Sequence, residues 1–159
     1  MIAEKLILGF AILFANEIAF AQTDASAVKF LNPATVAAPH GYSHAVEVDL
    51  GTCEMVIISG QVALDSKGNL VGPGDYEKQT EQIFINIKNI VESAGGQMDN
   101  VVKLGFFIRD VGQIQKVRTV RDRFINIKNP PASTLVEVSK LFRDDVLIEI
   151  EATAIIPKK

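Results

Sequence analysis

Two carboxylates, Glu149 and Glu151, stand two residues apart inside an otherwise apolar, β-branched run, and few arrangements restrict a chain more. From Val146 to Ile155 the side chains alternate: Val146, Ile148, Ile150, Ala152 and Ala154 fall on one face of an extended strand. Leu147, Glu149, Glu151, Thr153 and Ile155 fall on the other. One face is therefore dry, and the other holds two acids side by side. A sheet face open to solvent would account for them, yet Glu149 lies mid-strand between Ile148 and Ile150, an odd place for an idle charge. A second β-branched run, Thr134 to Val138, precedes it across a polar connection through Lys140, Arg143, Asp144 and Asp145, and the pair reads as a hairpin.

The chain has 159 residues, the size of one core, and a formal charge of −3. Such a balance leaves no electrostatic footprint for nucleic acid. The basic residues between Lys116 and Lys128 are interrupted by Asp122 and read as a solvated helix face. At the start, Lys5, the short apolar run Leu6 to Ala15 and Ala19-Phe20-Ala21 match a secretory signal peptide cleaved before Gln22. The run is too short for a bilayer span, which needs about 20 residues. A signal peptide over 1–21 predicts a periplasmic or secreted protein that no longer holds to a membrane after cleavage. Cys53 is the only cysteine, so no internal disulfide is available; it reads as incidental rather than nucleophilic.

Residues 22–39, rich in Ala, Thr, Ser and Pro, read as a tether that becomes extended as it reaches a domain over 40–159. Strands are expected at Tyr42 to Val48 and Met55 to Ala63, then a loop at Ser66 to Gly74. Asp75 is placed to cap a helix whose apolar stripe is Ile83, Ile87, Ile90, Val91 and Ala94, closed by Gly95-Gly96. A buried strand at Val101 to Ile108 and a helix at Ile114 to Phe124, with Val117, Val120 and Phe124 inward, complete an α+β layer. FINIKN recurs at Phe84 to Asn89 and Phe124 to Asn129 with unmatched flanks, and reads as coincidence. His40 and His44 lack partners at metal-ligand spacing, no phosphate loop is present, and nothing marks Ser43 or Ser59 as the nucleophile of a triad with His44. Neither metal nor cofactor is expected.

GYSHAVEV (41–48), IISGQVALD (57–65), the helix closed by AGG, VVKLGFFIRD (101–110), PA at Pro131-Ala132 and IEIEA (148–152) occur in an order that resembles the RidA (YjgF) family. The resemblance covers nearly everything after about Pro39. It implies a chorismate-mutase-like mixed six-stranded sheet with two helices on one face, a homotrimer, and ligand clefts between subunits. It also implies imine or enamine hydrolysis: a guanidinium after PA grips the carboxylate of a 2-imino acid while a glutamate orients water. On this resemblance Glu149 matches the water-orienting glutamate, Tyr42 lines the cleft, and Ser59 and Gly60 form the turn facing the ligand. Ser133, followed by Thr134, stands where the arginine belongs. Arg118 occupies a cleft-facing position that is usually asparagine; as a plain helix residue it would instead pair with Asp122. Two readings follow. In one, the protein is an exported trimer that binds small metabolites such as imino or keto acids, its hydrolysis impaired by Ser133. In the other, an active deaminase has moved its anion site, for example to Arg118.

Overall fold

The computed structural model describes residues 27–158; the expected signal peptide at 1–21 lies outside them. Six strands form one sheet: β1 (Val28–Leu31), β2 (Ala45–Asp49), β3 (Cys53–Gln61), β4 (Val101–Ile108), β5 (Ala132–Glu137) and β6 (Ile148–Pro157). Their order across the sheet is β1-β2-β3-β6-β4-β5, and only the β4–β5 pair is parallel. Two α-helices, α1 (Tyr76–Ser93) and α2 (Ile114–Arg121), accompany the strands among the described residues, so the fold is the expected α+β arrangement with a mixed six-stranded sheet.

β6 is central because its alternation suits burial on one face: Ile148, Ile150, Ala152, Ala154 and Ile156 are all buried. They meet Ile83, Ile87, Ile90 and Val91 of α1 in one core. Asp75 caps α1 as expected, its carboxylate accepting from the amides of Glu77 and Lys78. At the other end Gly95 adopts φ +79°, its amide donates to Glu92 O, and the Gly96 amide donates to Val91 O. These are the paired bonds of a Schellman ending. The shorter α2 stops at Arg121, and Phe124, beyond its end, stacks on Phe84 with ring centroids 5.2 Å apart.

Two sequence expectations are corrected. β5 and β6 do not form a hairpin; β4 lies between them, paired with β5 in parallel and with β6 antiparallel. The crossover through α2 returns the chain to the end of the sheet where β4 began, which parallel pairing requires. The 138–147 connection then steps over β4, and Val138 N donates to Ile108 O while Arg109 N donates to Leu147 O. The second correction concerns 22–39. Val28–Leu31 is an edge strand in register with Ala45–Val48, and Val36 is buried in the core. The Asn32 side chain accepts from His44 N, and His44 Nε2 lies 2.7 Å from Ala37 O, so the stretch from Val28 onward is built into the domain.

Candidate functional site

The β3–β6 pairing is regular from Cys53↔Pro157 to Ile58↔Ala152, then slips before Gln61↔Ile150. The slip is a bulge at Ser59-Gly60, and bulges commonly re-aim side chains beside functional sites. Its polar groups are satisfied: Ser59 Oγ donates to Ser43 O at 2.7 Å, Ser59 N donates to His44 O, and Gln61 Nε2 donates to Ser59 O. Gly60 thus presents bare backbone, and the Glu149 carboxylate lies directly on it. A Cβ at Gly60 would overlap Glu149 Oε1 and sit 2.7 Å from its Cδ. Glu151 has a similar seat, against Gly105 of β4.

The seated Glu149 is the acid of a cleft of about 720 Å³, which also takes in Tyr42, His40, Ser59, Gly60, Val62 and Leu64. Lys67 and Gly68 form one lip, Phe142 and Arg143 the other. Burial, and then the neighbouring Glu151 charge, raise the Glu149 pKa above the usual carboxylate value. Burial and the Glu149 charge likewise raise that of Tyr42. A carboxyl group held this way can accept a proton from water and return it, the working requirement of a general base and acid. His44 is no catalytic partner; it is buried, bonded to Ala37 O and close to Gln61, with Tyr42 edge-on at 5.4 Å.

The raised Glu149 pKa has a consequence for stability. Below the unfolded-state value the residue is protonated in both states; as pH rises through that value the unfolded chain ionises first, so folded stability falls until the raised folded value is passed. Native protein should therefore lose stability relative to Glu149→Gln as pH rises out of the ordinary carboxylate range, as read by thermal unfolding at a series of pH values. A difference that does not vary with pH would show Glu149 ionising as freely as in the unfolded chain.

Ser133 and Arg118 are not in this cleft. They share a separate hollow of about 170 Å³ with Arg121, over Phe106, Val117 and Leu135. The anticipated Arg118–Asp122 pair is absent: Asp122 accepts from Arg121 at 2.7 Å. Thr134, on β5, pairs with Gly105 of β4 and lines neither cavity. The fold therefore brings Tyr42, Ser59, Gly60 and Glu149 together, and Arg118 and Ser133 together elsewhere. Sequence reasoning passed over Lys67, Phe142 and Arg143 as parts of the site because each lies in a polar connection where solvation is the default. Among the described residues no group of three or more His, Cys, Asp or Glu side chains is placed to hold a metal.

Comparison with known proteins agrees with this architecture. The family model described as "Endoribonuclease L-PSP" matches residues 33–156. A RutC family protein of Pyrococcus abyssi is 34% identical over 113 residues, spanning 71% of this chain and 84% of the relative. The 2-iminobutanoate/2-iminopropanoate deaminase of Escherichia coli is 39% identical over 110 residues, 68% of this chain and 83% of that enzyme. Among solved structures, the YjgF gene product of Escherichia coli superposes with a TM-score of 0.69 at 34% identity, covering 80% of this chain and 98% of that one. RidA of an Antarctic Psychrobacter gives 0.71 at 30% identity, with 80% and 99% covered. With the family model matched over residues 33–156, and with these relatives and solved structures matched over more than two thirds of the chain, the chain belongs to the RidA/YjgF family.

Proposed function

We propose that this protein binds small 2-oxo or 2-imino acids in the cleft above Gly60, with Glu149 facing the ligand's second carbon. The observation that carries the reading is the Glu149 carboxylate seated on bare backbone within a cleft that Tyr42 walls. The deaminase name of the Escherichia coli relative supplies the ligand class. A homotrimer belongs to the proposal, because Ile57 on the outer sheet face is 46% exposed and because the hollow of Arg118 and Ser133 needs a neighbouring subunit to meet a cleft. Light scattering should give three times the monomer mass, and a monomer at micromolar concentration would remove the intersubunit site. Export through the 1–21 segment is also proposed, and the mature N-terminus should be Gln22 by intact mass.

Hydrolysis of an imine would need water to add across the C=N bond, with Glu149 taking a proton from the water and passing it to nitrogen. The hydroxyl proton of the resulting carbinolamine would then move through the same carboxylate to nitrogen as the C–N bond breaks, leaving the ketone and ammonia. Ser133 weakens this chemistry. A serine hydroxyl in place of a guanidinium forfeits a charge-assisted, two-bond grip on carboxylate, at a cost of about 2–5 kcal/mol in a closed site. Binding with little turnover is the reading this supports. A second reading, an active deaminase with Arg118 as its clamp, is favoured by one observation: Arg118 lines the same hollow as Ser133, and its anticipated partner Asp122 is taken by Arg121. Freshly generated 2-imino acids offered to native protein, Arg118→Ala, Glu149→Ala and Ser133→Arg separate the two. Activity confined to Ser133→Arg is the expected result; native activity lost in both alanine variants would support the relocated clamp. Nucleic acid is not a proposed partner, since a chain of charge −3 offers no basic track for phosphates.

A further inference from the structure

Helix α1 carries, beside its apolar stripe, a row of amides that core packing does not explain. Gln79 is 0% exposed and Asn86 is 3% exposed, and the two lie seven residues apart, on the same side of the helix. Gln79 Nε2 donates to Gly72 O at 3.2 Å and to Asp145 O at 2.9 Å, and Gln79 Oε1 accepts from Leu147 N at 2.9 Å. Asn86 Nδ2 donates to Val62 O at 3.1 Å and to Leu64 O at 3.0 Å, while Gln82 Nε2 donates to Asn86 Oδ1 and fixes that amide's orientation. Every bond except the Gln82 one reaches backbone in a segment that walls the cleft or adjoins its lips.

Val62 and Leu64 are wall residues themselves. Gly72 belongs to the turn region whose other end carries Lys67 and Gly68, and Asp145 lies two residues beyond Arg143 in the connection that carries Phe142. Gln79 therefore ties both lips of the cleft to one rigid point on α1. The lips have some support of their own: Asp65 accepts from the amides of Lys67 and Asn69, and Asp145 grips Arg143 through two bonds. Those bonds shape each loop internally. Among the described residues only Gln79 bonds to both of them.

We propose that Gln79 and Asn86 are positioning residues that set the separation of the cleft walls, and through it the affinity for small carboxylate ligands. The inference rests on the cleft reading above. A buried amide that makes three bonds to two loops costs much more to lose than an apolar contact of equal size, because the loop groups are left unpaired. Loosened walls then forfeit the preorganisation on which small-ligand binding depends.

Two measurements on the full-length protein test it. In Gln79→Met, of similar volume, amide exchange should quicken together in 66–74 and 139–147 and stay native in the β1–β2 pair. Binding of 2-oxobutanoate should weaken about tenfold. Gln82→Leu, which removes no buried group, should loosen 62–64 alone and serves if Gln79→Met does not fold. Faster exchange spread evenly over the sheet, or loosened loops with unchanged affinity, would overturn the positioning role. If native protein binds no 2-oxobutanoate, the cleft reading itself fails, whereas native binding that Gln79→Met leaves intact sinks the positioning inference alone.

Discussion

Gly60→Ala should leave the protein folded and reduce 2-oxobutanoate binding about a hundredfold, the scale associated with an ångström-sized misplacement of a reacting group. The new methyl group would occupy the space of the Glu149 carboxylate, whose Oε1 and Cδ lie against the glycine. Gly60 has no unusual φ, so the backbone tolerates alanine. What gives way is the far end of a flexible side chain, and Glu149 swings off its seat at little cost to the fold. Titration of the ligand, with near-ultraviolet circular dichroism as the check on folding, reads both halves of the prediction. Undiminished binding would mean that the position of Glu149 on Gly60 is unrelated to ligand recognition.

The largest effect on stability is expected at Phe84. It is fully buried on α1 and stacks on Phe124, which joins the end of α2 to the core. Phe84→Ala removes a fully buried aromatic side chain and its stacking on Phe124, at a cost of about 3–5 kcal/mol. Against a total stability of about 5–15 kcal/mol for a domain this size, that is a large fraction. The urea midpoint should fall accordingly with the slope unchanged. A loss below about 1 kcal/mol would be incompatible with a packed α1–α2 seam.

Phe84 also shows how far the sequence could be read. The stripe Ile83, Ile87, Ile90, Val91 and Ala94 was visible as a 3.6-residue period, and the structure buries it against the sheet, with Ala94 packed at its edge. Phe84 escaped because it lies beside that stripe, and only the position of α2 makes its side of the helix interior. The alternation in β6 was legible for the same reason as the stripe: a period reports which face is dry. It does not report the neighbour. β5 follows the hairpin rule of proximity in sequence, yet the sheet places β4 between, since a crossover helix is an equally short path in space. β1 was hidden by its own chemistry: a four-residue edge strand with three exposed side chains carries almost no pattern.

The site was legible residue by residue and obscure as a geometry. Tyr42, Ser59, Gly60 and Glu149 do share a cleft, but the contact of Glu149 with Gly60 depends on a bulge that no spacing announces. Within one copy of the chain Arg118 and Ser133 lie in a hollow of their own, and only the proposed trimer would bring it to a cleft. The buried amides Gln79 and Asn86 look like ordinary polar helix residues in sequence, because hydrogen bonds to distant loop backbone leave no local signal.

A small keto acid should bind against Gly60 and Glu149. Amide chemical shifts of the native protein should be followed as 2-oxobutanoate is added, with Glu149→Gln titrated alongside. Saturable shifts at Tyr42, Ser59 and Gly60, weakened in the variant, are the predicted result; saturation that leaves the Gly60 amide unmoved would contradict it.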